Sequence, residues 1–289
     1  MATILVTHGI PAEGFSLLSG EKIVIPKPLM QFSMDELAAL IPAADAVVAC
    51  GALPGEIIRR GRKLRIIAGY GAGYDGVDVR AAAECGIPVT NLPDTVTDST
   101  AELAIGLMLA VSRRIGENSL RAREEAPENL FGMGRSMGRS LRGQTLGLLG
   151  CGRIGKRTAE IAAALGMRCI GYSRHGVNHP QVESMTLPEL LARMKQGSIL
   201  INTARGAIVD CDALADTLES GHLRGAGLDV YPDEPHIPPR LIALPQVVLT
   251  PHIGTNTQET RQRMAEGCAR QIADALAGKR PAHVVNGIE

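Results

Sequence analysis

The sequence contains no tryptophan, only four tyrosines and three phenylalanines, and no excess of either charge, since 30 Lys and Arg residues balance 30 Asp and Glu residues. A nucleic-acid-binding protein needs a basic surface or aromatic side chains that stack on bases. This composition therefore argues against a nucleic-acid partner.

Long apolar runs are also absent. The longest run that includes glycine extends from Ala104 to Val111, far short of the roughly 20 residues that a membrane-spanning helix requires. The first eight residues, MATILVTH, lack the basic region and small-residue cleavage site of a secretory signal, and are typical of a buried strand. We expect no membrane association.

None of the six cysteines forms a CxxC pair or has the spacing of metal ligands. A disulfide framework or a zinc site would normally show one of these patterns. The sequence therefore predicts no metal site, and a reducing compartment, the cytoplasm, is the natural setting.

Short β-branched strands alternate with helices in two series along the 289 residues, a length that suggests two domains. Such alternation predicts parallel sheets covered by helices on both faces. The first series has strands at 4–7, 22–25, 46–49, 65–68 and 87–91, and the second has strands at 145–150, 168–173, 198–202, 225–230 and 247–250.

Two segments lie between these series. Residues 98–114 form a helical pattern that is apolar on nearly all sides, which predicts burial between domains or subunits. Residues 116–143 are rich in Gly, Arg and Glu and carry little core pattern, so we expect an exposed arm.

A glycine-rich turn follows the strand at 145–150 and precedes a helical pattern. It fits GxGxxG, in which the first glycine permits a tight turn, the second lets the backbone approach a pyrophosphate, and the third lets helix and strand pack closely. The motif predicts a dinucleotide site, although a plain tight turn is the alternative. Its predicted binding residues are Gly150, Gly152, Arg153, Ile154 and Gly155.

The end of the next strand bears on cofactor choice. An NAD-binding unit normally carries an acidic residue there, about 20 residues beyond the glycines, which binds the ribose hydroxyls. Here Ser173 and Arg174 occupy that region. A hydroxyl beside a guanidinium can bind a 2′-phosphate, which favours NADPH and leaves NADH possible. Alternatively, Arg174 is only a solvated loop residue.

Seven segments in a fixed order carry a resemblance to a known family. They are GYGAGYDGVD (69–78), GIPVTN (86–91), TDSTAELA (97–104), GLLGCGRIG (147–155), INTARGAIVD (201–210), GAGLDVYPDEP (225–235) and TPHIG (250–254). Together they resemble the D-isomer-specific 2-hydroxyacid dehydrogenases. The TDSTAELA segment with Ser173-Arg174 is most similar to the glyoxylate/hydroxypyruvate reductases, which use NADPH.

The resemblance implies an α/β fold of two doubly wound parallel-sheet domains. A flavodoxin-like substrate domain would comprise residues 1–96 plus 259–289, and a Rossmann cofactor domain residues 97–258. The implied activity is hydride transfer between NAD(P)H and a small 2-keto acid, or its D-2-hydroxy acid, of the glyoxylate or hydroxypyruvate type. The resemblance also implies a homodimer, formed through the helix at 101–111 and the arm.

Three residues are predicted to be catalytic. His252 follows a strand end, where ligand clefts of open α/β sheets lie, and its titration range suits a general acid near neutral pH. Arg205 also follows a strand, and its planar guanidinium suits a carboxylate next to a carbonyl. The resemblance makes Glu234 the partner of His252.

Other site residues follow from backbone chemistry and from the resemblance. The loop of Gly71, Ala72 and Gly73 offers backbone NH groups to the substrate carboxylate, because glycines allow close approach. The resemblance assigns the nicotinamide amide to Asp229. It places Thr100, Ala204 and Gly254 along the cofactor pocket.

One stretch departs from the family pattern. Only 24 residues, 174–197, separate two strands where a helix, a strand and a second helix would need about 40. We therefore predict that the cofactor domain lacks one edge strand-helix unit, that a single helix fills the gap, and that the strand at 168–173 becomes a sheet edge. The loss would favour an alternative function, that of a catalytically silent relative acting as a nucleotide-binding regulator.

Overall fold

A computed structural model describes residues 1–288. Glu289, the last residue of the predicted substrate domain, lies outside the described residues. The chain divides into two compact units, which are Met1–Val96 with Asn256–Glu289 and Thr97–Thr255. We call them the first and the second unit.

Eleven strands and eleven α-helices make up the described part of the chain. The strands are β1 Thr3–Val6, β2 Lys22–Val24, β3 Ala46–Ala49, β4 Ile66–Gly69, β5 Val89–Thr90, β6 Thr145–Leu149, β7 Arg168–Tyr172, β8 Val182–Ser184, β9 Ser198–Asn202, β10 Leu223–Leu228 and β11 Val247–Leu249. The helices are α1 Met34–Leu40, α2 Gly55–Ile58, α3 Val79–Glu84, α4 Thr97–Ser112, α5 Ile115–Glu124, α6 Pro127–Leu130, α7 Arg153–Ala164, α8 Leu187–Ala192, α9 Cys211–Glu219, α10 Pro239–Ile242 and α11 Gln258–Leu276. Three short 3-10 helices lie at Glu13–Leu18, Ile41–Ala43 and Gly206–Ile208.

The first unit is built on one parallel sheet in the order β2-β1-β3-β4-β5, which is the flavodoxin-like order. Side chains alternate between the two faces of the strands. On β1, Ile4 and Val6 pack into the core beneath α11 and the 3-10 helix at Glu13–Leu18. Leu5 points to the opposite core, which α1, α2 and α3 cover. The sheet is therefore covered on both faces, as its apolar strands predict.

The second unit has two three-stranded parallel sheets, in the orders β6-β7-β8 and β9-β10-β11. One core joins β6 and β7 to α4 and α7, and Ile199 and Ile201 of β9 pack against it. Leu200, between them in sequence, packs into the other core, with α9 and α10. Helices therefore cover both faces here too, and the predicted doubly wound α/β class is confirmed.

The predicted absence of an edge strand is wrong. β8 pairs in parallel with β7, with Cys169 opposite Val182 and Gly171 opposite Ser184. Residues 173–181, which join β7 to β8, contain no helix in the structure, and α8 is the single helix of the stretch 174–197. A strand of three residues reached by a loop needs far less chain than the full strand-helix unit that the length argument assumed.

His179 holds this connection in place. Its Nδ1 accepts a hydrogen bond of 3.3 Å from the backbone NH of Gln181, and its carbonyl accepts one of 3.2 Å from Val182. Because Nδ1 is an acceptor, Nε2 is the nitrogen that carries the proton and donates to Oε1 of Glu160 on α7, at 3.3 Å. The loop is thus tied to α7 by one side chain.

The predicted arm, 116–143, includes most of α5 and all of α6. No residue of α5 is buried. Its exposure explains why its sequence shows no pattern of core residues. The arm carries highly exposed apolar side chains, which are Leu120 in α5 and Phe131, Met133 and Met137 after α6. Within residues 1–288, no helix has the length and apolar character needed to cross a membrane.

Candidate active site

Three loops of the second unit leave the carboxyl ends of adjacent strands. Arg205 follows β9, Asp229 and Glu234 follow β10, and His252 follows β11. Since β9, β10 and β11 are parallel neighbours, their carboxyl ends meet at one edge of the sheet, which is where ligands bind in open α/β folds. The structure therefore brings the predicted catalytic residues to the same edge.

His252 and Glu234 form a direct pair. Nδ1 of His252 lies 2.7 Å from Oε2 of Glu234, and the two side chains are 54% and 35% exposed. His252 has a left-handed backbone, with φ at 53°, a conformation that few residues other than glycine adopt. With Nδ1 held by the carboxylate, the ring is oriented and Nε2 remains for a second partner.

Several groups hold Glu234 as a carboxylate. Partial burial by itself would raise its pKa, but the hydrogen bond from His252, the hydrogen bond from the NH of Tyr231 and the nearby positive charges together leave the pKa below its ordinary value. The NH of Tyr231 donates to Oε1 at 3.0 Å. One of these charges is the guanidinium of Arg205, which places Arg205 in electrostatic contact with the pair.

The loop of Arg205 is shaped by Asn202, a buried residue at the end of β9. The side chain of Asn202 donates to the carbonyl of Arg205 at 2.9 Å and accepts from the NH of Ala204 at 3.1 Å. Nη1 of Arg205 donates to the carbonyl of Ala204 at 2.7 Å. The sequence motifs do not single out Asn202, although a buried amide at a strand end is a recognisable signal.

At Gly206, the backbone of this loop packs directly against the backbone of the loop that carries Glu234. A Cβ atom at position 206 would overlap the carbonyl group of Tyr231 and the nitrogen of Pro232. Only glycine permits this backbone-to-backbone approach. The distance between the Arg205 loop and the Glu234 loop therefore depends on the absence of a side chain at Gly206.

Asp229 holds the loop of His252. This carboxylate is 1% exposed. It accepts hydrogen bonds from Oγ1 of Thr250 at 2.7 Å and from the NH groups of Ile253 and Gly254 at 2.8 and 2.9 Å. Asp229 thus fixes the backbone on both sides of His252. A carboxylate has about four acceptor positions, and these three bonds leave room for one more donor.

Two other predicted cofactor residues lie beside Asp229. The hydroxyl of Thr100 donates to the carbonyl of Gly254 at 3.4 Å. A Cβ at position 254 would lie 3.3 Å from Oδ2 of Asp229 and 3.5 Å from Cγ2 of Thr100. Thr100, Asp229 and Gly254 are therefore in mutual contact.

The glycine motif has the geometry that its sequence predicts. Gly150 has φ at 104°, and a Cβ on Gly155 would collide with the carbonyl oxygen of Gly150, so the turn packs tightly against α7. A Cβ on Gly152 would meet no atom within 4 Å. Gly152 is the N-cap of α7 and supplies no side-chain cap. The start of α7 therefore has no side chain at Gly152 above it, and a helix N-terminus of this kind suits the pyrophosphate of a dinucleotide.

Ser173 and Arg174 lie at the end of β7, next to the strand that leads into the glycine motif. Ser173 is partly buried, Arg174 is exposed, and the NH of Gly176 closes a turn on the carbonyl of Ser173 at 3.0 Å. The predicted substrate loop, Gly71, Ala72 and Gly73, belongs to the first unit, where it follows β4. Gly71 adopts φ at 149°.

Comparisons with known proteins identify the family. The sequence profile described as "D-isomer specific 2-hydroxyacid dehydrogenase, catalytic domain" matches residues 4–286. A glyoxylate reductase of Thermococcus litoralis is 35% identical over 325 aligned residues, which cover 98% of this chain and 96% of that protein.

Solved structures show the same relationship. The TT0316 protein of Thermus thermophilus superposes with a TM-score of 0.90 at 36% identity, covering 98% of this chain and 99% of the other. An NADPH-dependent glyoxylate/hydroxypyruvate reductase of Sinorhizobium meliloti, solved with NADP and malonate, gives 0.83 at 28% identity, with 98% and 96% covered. The resemblance carried by the seven segments is confirmed, and the chain belongs to the D-isomer specific 2-hydroxyacid dehydrogenase family.

Proposed function

We propose that the protein reduces small 2-keto acids of the glyoxylate or hydroxypyruvate type to D-2-hydroxy acids, with NADPH as the preferred cofactor and NADH as a possible one. The observation that carries this proposal is the His252–Glu234 pair, 2.7 Å apart and within electrostatic reach of Arg205. A proton donor beside a cation is what the reduction of a carbonyl next to a carboxylate needs.

His252 is the proton donor in this proposal. Glu234 accepts from Nδ1, which orients the ring and leaves Nε2 for the substrate. Nε2 would give its proton to the carbonyl oxygen as the carbonyl carbon accepts hydride, so that a hydroxyl group forms. The reduced nicotinamide, when bound, supplies that hydride.

Arg205 is assigned to the substrate carboxylate. Its guanidinium can form two parallel hydrogen bonds to a carboxylate and can also polarise the adjacent carbonyl. The backbone of Gly71, Ala72 and Gly73 is proposed to bind the same carboxylate. We accordingly assign substrate binding to residues 1–96 plus 259–289 and cofactor binding to residues 97–258.

The cofactor site comprises the glycine motif and the group around Asp229. The amides that follow Gly152, with Arg153, Ile154 and Gly155 at the start of α7, would bind the pyrophosphate. Asp229 would accept from the nicotinamide amide at its remaining position, with Thr100, Ala204 and Gly254 around it. Ser173 and Arg174 would bind the 2′-phosphate, and the relative solved with NADP supports this choice.

A silent, regulatory relative is the weaker alternative. It depended on the loss of an edge strand from the cofactor unit, and β8 occupies that position. Nothing else in the described residues distinguishes a regulator, whereas Arg205, Glu234 and His252 are all in place.

The setting and assembly of the enzyme belong to the same proposal. All six cysteines are free, which supports a reducing compartment, and we propose the cytoplasm. The exposed apolar side chains of the arm, together with the apolar helix α4, support a homodimer.

One assay tests the activity. Purified protein is mixed with NADPH and either glyoxylate or hydroxypyruvate, and cofactor absorbance is followed. We expect cofactor oxidation that depends on the keto acid, and slower oxidation of NADH at equal concentration. A panel of larger 2-keto acids then defines the substrate range. Absence of turnover with every keto acid and both cofactors would refute the proposed function.

A further inference from the structure

Helix α11 of the first unit packs against the end of β4 and the loop that follows it. The thiol of Cys268 donates to the last carbonyl of β4 at 3.6 Å, and a Cβ on Gly71 would lie 3.9 Å from the terminal methyl of Met264. Nearer the start of the helix, the carbonyl of Arg261 accepts a hydrogen bond of 2.8 Å from the hydroxyl of Tyr70. Residues 261, 264 and 268 share one face of a helix. This face therefore lies along the loop that is proposed to bind the substrate carboxylate.

The carbonyl groups of this loop are already used inside the first unit. The carbonyl of Gly71 accepts from the NH of Leu92 at 2.8 Å, and the carbonyl of Ala72 accepts from the side-chain amide of Asn91 at 2.8 Å. The NH groups of Ala72 and Gly73 donate to no other group among residues 1–288. Ala72 is half-buried and Gly73 is exposed. The loop thus offers two free donors, and successive backbone NH groups of this kind suit an anion.

Arg261 places a positive charge beside this loop. Its guanidinium lies over the ring of Tyr70, with the central carbon 5.5 Å from the ring centre. The residue is half-buried, and no carboxylate in the described part of the chain pairs with it. The aromatic ring holds the cation by one flat side, so its charge is fixed next to the residue that leads into Gly71.

Two polar groups near Arg261 are neutral. Burial raises the pKa of the Tyr70 hydroxyl to about 12, and it raises the pKa of the Cys50 thiol, just after β3, to about 12 as well. In both cases the charge of Arg261 opposes the rise, and no carboxylate among residues 1–288 contributes to either pKa. The guanidinium therefore has no counter-ion on the side of these two groups, and a bound anion would supply one.

We propose that Arg261 is a positioning residue whose charge attracts the carboxylate of the 2-keto acid to the NH groups of Ala72 and Gly73. The inference rests on the proposed function, which assigns the substrate carboxylate to this loop and to Arg205. Charges interact over several ångströms without direct contact, so Arg261 strengthens binding from its place over Tyr70. Because the substrate carboxylate keeps its charge throughout the reaction, this attraction acts equally before and during hydride transfer, and it lowers KM without raising kcat.

Steady-state kinetics with NADPH and glyoxylate test the inference. Arg261→Gln removes the charge and should raise the KM for glyoxylate about five- to tenfold, while kcat and the KM for NADPH stay within about twofold of the parent values. Arg261→Lys keeps the charge and can still stack on Tyr70, so its KM should stay near that of the parent. Raising the salt concentration from about 0.05 M to about 0.5 M should shrink the difference between the parent and Arg261→Gln, because salt screens charges.

Control variants separate this effect from a loss of folding. Arg270→Gln removes an exposed arginine from the same helix and should leave the KM for glyoxylate unchanged. Arg261→Met is a second neutral variant that keeps an apolar contact with Tyr70, and it should raise the KM as Arg261→Gln does. Melting temperatures verify that each variant is folded. A role in packing alone would lower stability in Arg261→Lys too and would not respond to salt.

Binding of oxalate, a dicarboxylate of the size of glyoxylate, measures anion affinity without turnover. Titration calorimetry should show weaker oxalate binding in Arg261→Gln than in the parent, by about the same factor as the change in KM. If the parent reduces glyoxylate and neither neutral variant changes the KM, the inference is overturned and the proposed function stands. If the parent reduces no keto acid, the proposed function fails, and oxalate affinity that is equal in the parent and Arg261→Gln, or absent from both, then overturns the inference as well.

Discussion

Nδ1 of His252 lies 2.7 Å from Oε2 of Glu234, so the ring is held at one nitrogen and Nε2 is left on the other side. Replacing His252 with alanine should lower turnover by roughly 10²–10⁴, the usual contribution of a general acid. Cofactor affinity should barely change. Stopped-flow turnover and cofactor titration check both. Since His252 has a positive φ, His252→Asn is the matched variant, because asparagine tolerates that backbone. Full activity in either variant would contradict the assignment.

The difference in stability between the parent protein and Glu234→Gln should depend on pH. The pKa of Glu234 is lowered in the folded protein, so its ionised form contributes stability at pH values above the ordinary glutamate pKa of about 4.3. That contribution is lost as the pH falls through the lowered value. Glu234→Gln should therefore be less stable than the parent at neutral pH, and the difference should shrink in acid. Thermal melts from pH 7 to pH 3 measure it, and a constant difference would contradict the pairing.

Arg174 should determine cofactor choice. Arg174→Asp places a carboxylate where a 2′-phosphate would lie, and repulsion should raise the KM for NADPH far more than the KM for NADH. Arg193→Asp, at an exposed position after α8, makes the same charge change elsewhere and should affect both cofactors little. If Arg174→Asp changes the two KM values equally, Arg174 lies outside the site.

Gly206 should be intolerant of even one methyl group. Gly206→Ala forces a Cβ into the backbone of Tyr231 and Pro232, and we expect a loss of stability of about 1–3 kcal/mol, as for other overpacked sites. Turnover should fall as well, because the loops of Arg205 and Glu234 must separate. Gly20→Ala, where a Cβ meets nothing within 4 Å, is the control. Unchanged melting and turnover in Gly206→Ala would show that the loops adjust freely.

The homodimer is testable by light scattering. The exposed apolar side chains of the arm, Phe131 and Met133 among them, should be covered by the partner. We expect twice the chain mass of 30.5 kDa at micromolar concentration. Phe131→Ser should shift the equilibrium toward the monomer, whereas Leu29→Ser, at a fully exposed apolar residue outside the arm, should not. A monomeric parent protein would reject the interface.

The sequence predicts ten of the eleven strands, and the strand-end loops that carry the candidate residues, because both leave strong local signals. Strands buried on both faces read as short apolar runs, and Arg205, Asp229 and His252 follow such runs directly. The sequence does not predict the exact hydrogen-bond partners, since the bonds from Thr250 to Asp229 and from Ala204 to Asn202 depend on how the loops fold back.

Two elements, β8 and α5, cannot be recognised from their sequence patterns. β8 has the sequence Val-Glu-Ser, in which only Val182 is buried, so neither alternation nor length distinguishes it from a loop. α5 buries none of its residues, and an amphipathic pattern cannot arise without a buried face. The length of the stretch 174–197 led to a wrong prediction, because typical lengths of helices, strands and loops do not set a lower limit for one particular connection.

The loop that joins β7 to β8 has a dynamic consequence. A helix at this place would carry its own ladder of backbone hydrogen bonds, but residues 173–181 depend on a turn at Ser173 and on the single side chain of His179. Segments with so few internal bonds open by local fluctuation, at a free energy well below that of global unfolding. The amides around Arg174 should therefore exchange with solvent deuterium as one independent unit, while those of β7 exchange only when the whole sheet opens.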